Sequence, residues 1–212
     1  MNFDYDVIMP LLCPPYARAQ ELFSERCRGD TIYELGAGTG NIASTLLKDH
    51  PERLYVGVDN DPSMLAIARK KLPVDQATLI EGDFSRVALP SVDTIVSSLS
   101  IHHLEHAEQR SLFERIYAAS PVFLHFELIA PENEREKERD ERYLLDHAFA
   151  QEKALGLSRD EIIQLKEVSE RKDRPMMLKD HISALESIGY SVDILLRDHC
   201  FVFYHCERPR NL

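Results

Sequence analysis

Between residues 30 and 130 the chain repeats one pattern: an apolar run, a brief turn, then apolar residues at helical spacing. The runs are "TIYEL" (31–35), "LYVGVD" (54–59), "ATLIEGD" (77–83), "VDTIVSSLS" (92–100) and "VFLHFELIA" (122–130). A helix between successive strands returns the chain to the edge it left, so such strands pair in parallel, with helices on both faces. The ending "SVDILLRDHCFVFYHCE" holds two further strand patterns separated only by "RD", too short for a crossover, so that pair is antiparallel. With 44% hydrophobic residues in 212, the expectation is a single α/β domain spanning 1–212.

The first strand-to-helix junction, "IYELGAGTGNIASTLL" (32–47), carries Gly36, Gly38 and Gly40. Alternate glycines let the backbone approach a ligand, and the following helix offers free N–H groups to a carboxylate or phosphate. A dinucleotide fingerprint would place its third glycine at position 41, where Asn41 stands, which speaks against a nicotinamide-dependent dehydrogenase. Ile42, Ala43, Leu46 and Leu47 form the helix's apolar face, which stops near His50-Pro51. In "DNDPSMLAIARKKLP", Asp61 suits an N-cap and Pro62 the first helical turn.

Residues 131–175 are highly charged and lack strand patterns. Two helices are expected there. One carries Leu144, Leu145, Ala148 and Phe149 as a stripe; the other opens with Ser158 and Glu161 at capping-box spacing and continues through Ile162, Leu165 and Val168. This segment is expected to be a helical lid or a homodimer contact, and residues 1–29 an N-terminal helical cap. "LKDHISALESIGY" resumes the core helix pattern and ends at Gly189.

The net charge of −11 argues against a protein that grips nucleic acid by its backbone. No apolar run approaches a membrane span, and "MNFDYDVIMP" lacks the features of a signal peptide. Cys13, Cys27, Cys200 and Cys206 form no C-x-x-C and are expected to be reduced thiols, consistent with a cytoplasmic location.

Three features stand at the carboxyl ends of successive strands, where open α/β sheets bind ligands. The glycine turn is one. Asp59 can accept both hydroxyls of a ribose, and Asp83 with Phe84 in "EGDF" suits an adenine ring. Together with "VGVDNDPSML" and "VSSLSIHHL", these motifs resemble the class I S-adenosylmethionine (SAM) dependent methyltransferases over residues 30–130 and 178–206. The resemblance implies a Rossmann-like seven-stranded, mostly parallel sheet with an antiparallel last strand, helices on both faces and a helical insertion after strand five. It also implies SAM as cofactor and S-adenosylhomocysteine (SAH) as product. In that family the acid before the glycines lies near the cofactor's amino group, and Glu34 takes that place. Gly36, Ala37, Gly38 and Gly40, then Asp59, Asn60, Met64, Asp83 and Phe84, are the implied cofactor contacts, although Met64 also suits core packing.

The N-terminal "IMPLLCPPYARAQELF", the "SIHHL" element and the inserted "LSRDEIIQLKEVSERKDRP" resemble more closely the branch containing carboxy-SAM synthases, enzymes of tRNA wobble-uridine modification, and their methyltransferase relatives. Tyr16 matches a cofactor-touching tyrosine of that branch. Ser98 stands where the synthase has an asparagine, and Lys166 where it has the arginine that holds the extra carboxylate. A lysine lacks the two-pronged geometry, which favours ordinary methyl transfer over carboxy-SAM chemistry. "YAASPVF" also departs from the proline-glycine-glycine turn common before strand five.

The resemblance implies an in-line displacement onto an acceptor, expected to be a small molecule, and a base helps where the nucleophile carries a proton. His102, His103 and Glu127 are the candidates. A non-catalytic SAM-binding protein is the alternative from another class. His102, His103 and His106 are close enough in sequence to suggest metal ligands with the histidines and cysteines of "HCFVFYHC", but strand alternation splits that second group between faces. No metal is expected.

Overall fold

The apolar runs become the strands of one sheet in a computed structural model, which describes residues 5–170 and 172–209, without the side chains of 168–170. Two helices lead in, α1 (Tyr5–Leu12) and α2 (Tyr16–Arg26). Then follow β1 (Thr31–Leu35), α3 (Asn41–Asp49), β2 (Leu54–Asp59), α4 (Pro62–Lys71), β3 (Ala77–Glu81) and β4 (Thr94–Ser98). A 3-10 turn (Ile101–His103) precedes α5 (His106–Ala119) and β5 (Val122–Leu128). The inserted segment forms α6 (Glu134–Ala150), α7 (Glu152–Leu155) and α8 (Arg159–Glu170); α9 (Leu178–Ser187), β6 (Ser191–Asp198) and β7 (Phe201–Glu207) complete the chain. The sheet order is β3-β2-β1-β4-β5-β7-β6, with β7 antiparallel to both neighbours and the other pairings parallel.

Alternation along the strands sends side chains to two cores. Ile32, Val96, Leu124 and Phe203 pack with Phe23 and Leu46 on the α2–α3 side. Tyr33, Ile95, Phe123 and Tyr204 pack with Phe113, Ile116 and Leu185 on the α5–α9 side. Each fully buried side chain of this size contributes roughly 1.5–3 kcal/mol. A third, small core of Ala148, Leu157 and Ile162, with Leu12, Phe149 and Leu165 beside it, ties the insertion to α1. The expected caps form: Asp61 accepts from Ser63 N at 2.8 Å, and Ser158 N and Oγ donate to Glu161 at 2.9 and 2.8 Å. Val168 of the expected stripe falls among the side chains outside the described set. All four cysteines are free and buried, and among the described residues no helix is long and apolar enough to cross a membrane.

Four expected boundaries are corrected. Arg197 and Asp198 belong to β6, because Asp198 pairs with Phe201; the hairpin turn is His199–Cys200. His199, at φ 53°, supplies the positive φ that a two-residue hairpin requires. The third strand stops at Glu81, before Asp83 begins a turn by accepting from Ser85 N at 2.9 Å. The fourth stops at Ser98, because Leu99 enters the left-handed region at φ 49°. The fifth stops at Leu128, two residues short of the expected end.

Candidate cofactor and acceptor site

The glycine loop closes on β2 through its backbone: Gly36 and Ala37 both donate to Val58 O at 2.9 Å. Gly36 holds φ 77°, and a Cβ there would stand 2.1 Å from Ser100 Oγ. Gly38 holds φ 51°, but a Cβ there would meet nothing within 4 Å, so the loop faces open space at that point. Gly40 turns the other way, against Ala68 of α4 and Leu72 just after that helix. Its task is helix packing. Asp59 is aimed by two donors, Gly38 N to Oδ2 at 2.7 Å and Asp61 N to Oδ1 at 2.9 Å.

A narrow slot opens above this loop, lined by Tyr16, Glu34, Gly36, Ala37, Gly38 and Ser98, together with Tyr5, Gln20, Thr39, Asn41 and Ile42. Tyr16 accepts from Asn41 Nδ2 at 3.0 Å, which fixes its hydroxyl. Glu34 is 2% exposed and accepts from Tyr55 OH at 2.6 Å; burial pushes its pKa up to about 8. Gln20 presents an amide whose oxygen and nitrogen are both buried without a partner among the described residues. α1 is tied down over the slot: Thr39 Oγ donates to Asp6 at 2.5 Å, and Lys71 pairs with the same carboxylate.

Asp59, Asn60, Met64, Asp83 and Phe84 are not among the residues that line the slot. Asn60 is exposed and Met64 half-buried. Asp83 accepts from Ser85 Oγ at 2.6 Å and meets Arg86 Nε at 3.2 Å. The Phe84 ring edge lies 3.8 Å from the place a Gly36 Cβ would occupy.

A cavity of about 550 Å³ adjoins the slot, and Tyr5 lines both. Its walls are largely apolar: Met9 and Leu12 from α1, Leu144 and Leu145 from α6, Ile162 and Leu165 from α8, and Leu128 and Phe201 from the sheet. Lys166 lines this cavity, not the slot. At one corner stand His102, His103 and Asp173.

Glu127 organises that corner from below. One of its oxygens accepts from Ile101 N at 3.0 Å and His102 N at 3.1 Å; the other accepts from Leu128 N at 2.8 Å and from His102 Nδ1. It is 1% exposed and does not line the cavity. Burial alone would raise its pKa, yet the neighbouring His102 holds it down at about 2. Glu127, expected among the bases, thus has both carboxylate oxygens engaged by donors and lies outside the cavity lining. Burial alone would lower the His102 pKa, but Glu127 and Asp173 outweigh it and the net shift is upward. Asp173 Oδ1 lies 3.1 Å from His103 Nδ1 and 3.6 Å from His102 Nε2.

Asp173 reaches the corner because its segment is pinned to the 3-10 turn and to α5. Arg174 N donates to His102 O at 2.6 Å, Gln109 Nε2 to Arg174 O at 2.7 Å, and Ala130 N to Met176 O at 2.8 Å. His102 and His106 do not share a helix face: His102 sits in the 3-10 turn and His106 starts α5, where its ring meets Pro175 O at 3.3 Å. His102, His103 and Asp173 hold ligand atoms all within 4.8 Å of one another, a grouping that His102, His103 and His106 do not form. Sequence reasoning missed Asp173, Gln20 and Tyr5. Only Gln20 carried a signal, being one helical turn beyond Tyr16 on the same face.

A family model described as a methyltransferase domain matches residues 32–120. The carboxy-S-adenosyl-L-methionine synthase of Geobacter metallireducens is 30% identical over 186 residues, which cover 82% of this chain and 74% of that protein. An uncharacterised methyltransferase of Bacillus licheniformis is 39% identical over 89 residues, 41% of this chain and 40% of that one. Among solved structures, the DhpI–SAH complex superposes with a TM-score of 0.67 at 13% identity, covering 97% of this chain and 91% of that one. Human N-acetylserotonin methyltransferase in complex with SAM gives 0.62 at 16% identity, and this chain spans about half of it, 52%. With the synthase aligned across most of both chains, and the strand order and glycine loop as described, the chain belongs to the class I SAM-dependent methyltransferases.

Proposed function

We propose that this enzyme transfers a methyl group from SAM to a small, largely apolar acceptor seated in the 550 Å³ cavity. The observation that carries the reading is that the two spaces are neighbours, with Tyr5 of α1 lining both. The slot's polar groups suit the cofactor's amino-acid end, which Glu34 and the unpartnered amide of Gln20 can meet. Outside the slot's lining, Asp59 would take the ribose and Asp83 with Phe84 the adenine. The open space before Gly38 is where the backbone makes room. When bound, SAM supplies a methyl group on a sulfonium and is left as SAH after transfer.

The chain's own contribution is alignment and exclusion of water. Residues 131–175 act as a lid rather than a dimer contact, because Leu144, Leu145, Ile162 and Leu165 face the cavity. His102 and His103 meet the acceptor's reacting end, and Glu127 positions His102. The carboxy-SAM alternative would have Lys166 beside the cofactor's extra carboxylate; its place on the cavity wall and its single-pronged charge favour methyl transfer. The test is mass spectrometry of the nucleoside released on denaturation, then SAH release with apolar hydroxyl, thiol and amine acceptors. SAM or SAH followed by acceptor-dependent SAH formation is the expected result. A released species heavier by a carboxylate, or SAM bound without turnover on any acceptor, overturns it.

A further inference from the structure

His102, His103 and Asp173 meet at the cavity wall from two distant parts of the chain, and nothing in the alignment of a methyl donor requires this. Both separations from the Asp173 oxygen are those a metal would set, and the three donor atoms all lie within 4.8 Å of one another. Ligands at 2.0–2.1 Å from a tetrahedral ion stand roughly 3.4 Å apart, and cis ligands of an octahedral ion about 3 Å apart. Asp173 Oδ1 lies 3.1 Å from His103 Nδ1 and 3.6 Å from His102 Nε2. That oxygen is buried and accepts no hydrogen bond from the described residues, although two ring nitrogens are near it.

The surroundings match as well. A ligating histidine usually donates its other ring N–H to a carboxylate, which fixes the ring and leaves the ligating nitrogen its lone pair. His102 Nδ1 donates to Glu127, whose carboxylate is itself held by the backbone N–H groups of Ile101, His102 and Leu128. Two carboxylates, Glu127 and Asp173, thus converge on one histidine in a nearly closed corner, where positive charge is wanted.

We propose that His102 Nε2, His103 Nδ1 and Asp173 Oδ1 bind one divalent transition-metal ion at the wall of the acceptor cavity. Three protein ligands leave at least one position open toward the cavity. An acceptor hydroxyl or thiol at that position is ionised by the metal, its proton leaving to solvent, and the resulting oxyanion or thiolate is held for attack. The acceptor class that follows is an apolar molecule with an ionisable oxygen or sulfur at one end. This last step rests on the methyl-transfer reading; the metal site itself rests on the three ligands and Glu127.

The experiment is calorimetric titration of Zn²⁺ into the metal-stripped chain, repeated with Co²⁺ to read a tetrahedral visible spectrum, on protein also titrated with SAM. One ion per chain is expected in the wild type. Binding should be lost in Asp173→Asn and His103→Ala; His103 is half-exposed, so its removal leaves the fold intact, which unchanged thermal melting and SAM affinity will report. Protein that binds SAM but takes up no Zn²⁺, or uptake unchanged in both variants, overturns the site. Zn²⁺ uptake without SAM binding leaves the site standing and overturns the methyl-transfer reading instead.

Discussion

The slot and the cavity are built by different means. The slot is made largely by one continuous turn, residues 34–41, whose backbone angles and hydrogen bonds to β2 leave little freedom. The cavity is made of side chains from α1, α6, α8 and the strand ends, which meet only when the insertion folds back over the sheet. The first arrangement constrains residue type position by position; the second constrains only size and polarity. A cofactor common to a family and an acceptor particular to one member call for that division.

The largest effect is expected where the slot's backbone is least tolerant. Gly36→Val drives a branched Cβ into Ser100 at φ 77°, which combines overpacking with left-handed strain, several kcal/mol in all. Thermal denaturation should show loss of the folded state, and a wild-type melting temperature would break the claim.

Two buried regions should respond to pH with opposite sign. Glu34 in the slot has a folded pKa of about 8, above its ordinary value, so its contribution is present at low pH and is lost as pH rises from about 4.5 to 8. His125 and His181 lie behind the acceptor corner, and burial pushes them down to about 4 and about 3. They stay neutral in the fold, so stability is full above about 6.5 and falls as pH drops toward those values. Each group gives a slope of about 1.4 kcal/mol per pH unit within its window. Denaturant titrations across pH should flatten the fall in stability between about pH 4.5 and 8 in Glu34→Gln, and the fall below about pH 6.5 in His181→Leu. Variants that flatten neither would remove the contrast.

A smaller effect separates fold from ligand binding. Gly38→Ala keeps space around its Cβ and costs about 1–2 kcal/mol of backbone strain, but the methyl group enters the slot. The protein should fold and bind SAM at least tenfold more weakly. Smallest in stability is Leu145→Trp, which fills the cavity from α6: SAM affinity should stay within twofold of wild type while turnover falls.

How much of this was legible in the chain follows the same division. β1 and β2 begin and end where their apolar runs do, because a parallel strand buried on both faces is a continuous apolar run. The glycine turn and the caps were equally local. Asp173 was not legible, since "KDRP" carries no periodicity and becomes meaningful only when Arg174 bonds to His102 O. The four donors around the Glu127 carboxylate were not legible either, since the sequence shows only a carboxylate near the sheet's carboxyl edge. The hairpin turn was misplaced by two residues, because a histidine rather than a glycine or asparagine holds the positive φ.

The most direct test of the account is calorimetric titration of SAM into the wild type, Asp59→Ala and Leu145→Trp under one set of conditions. The account predicts wild-type affinity in Leu145→Trp and no detectable binding in Asp59→Ala. Retained affinity in Asp59→Ala, or loss in Leu145→Trp, would contradict a cofactor slot built independently of the acceptor cavity.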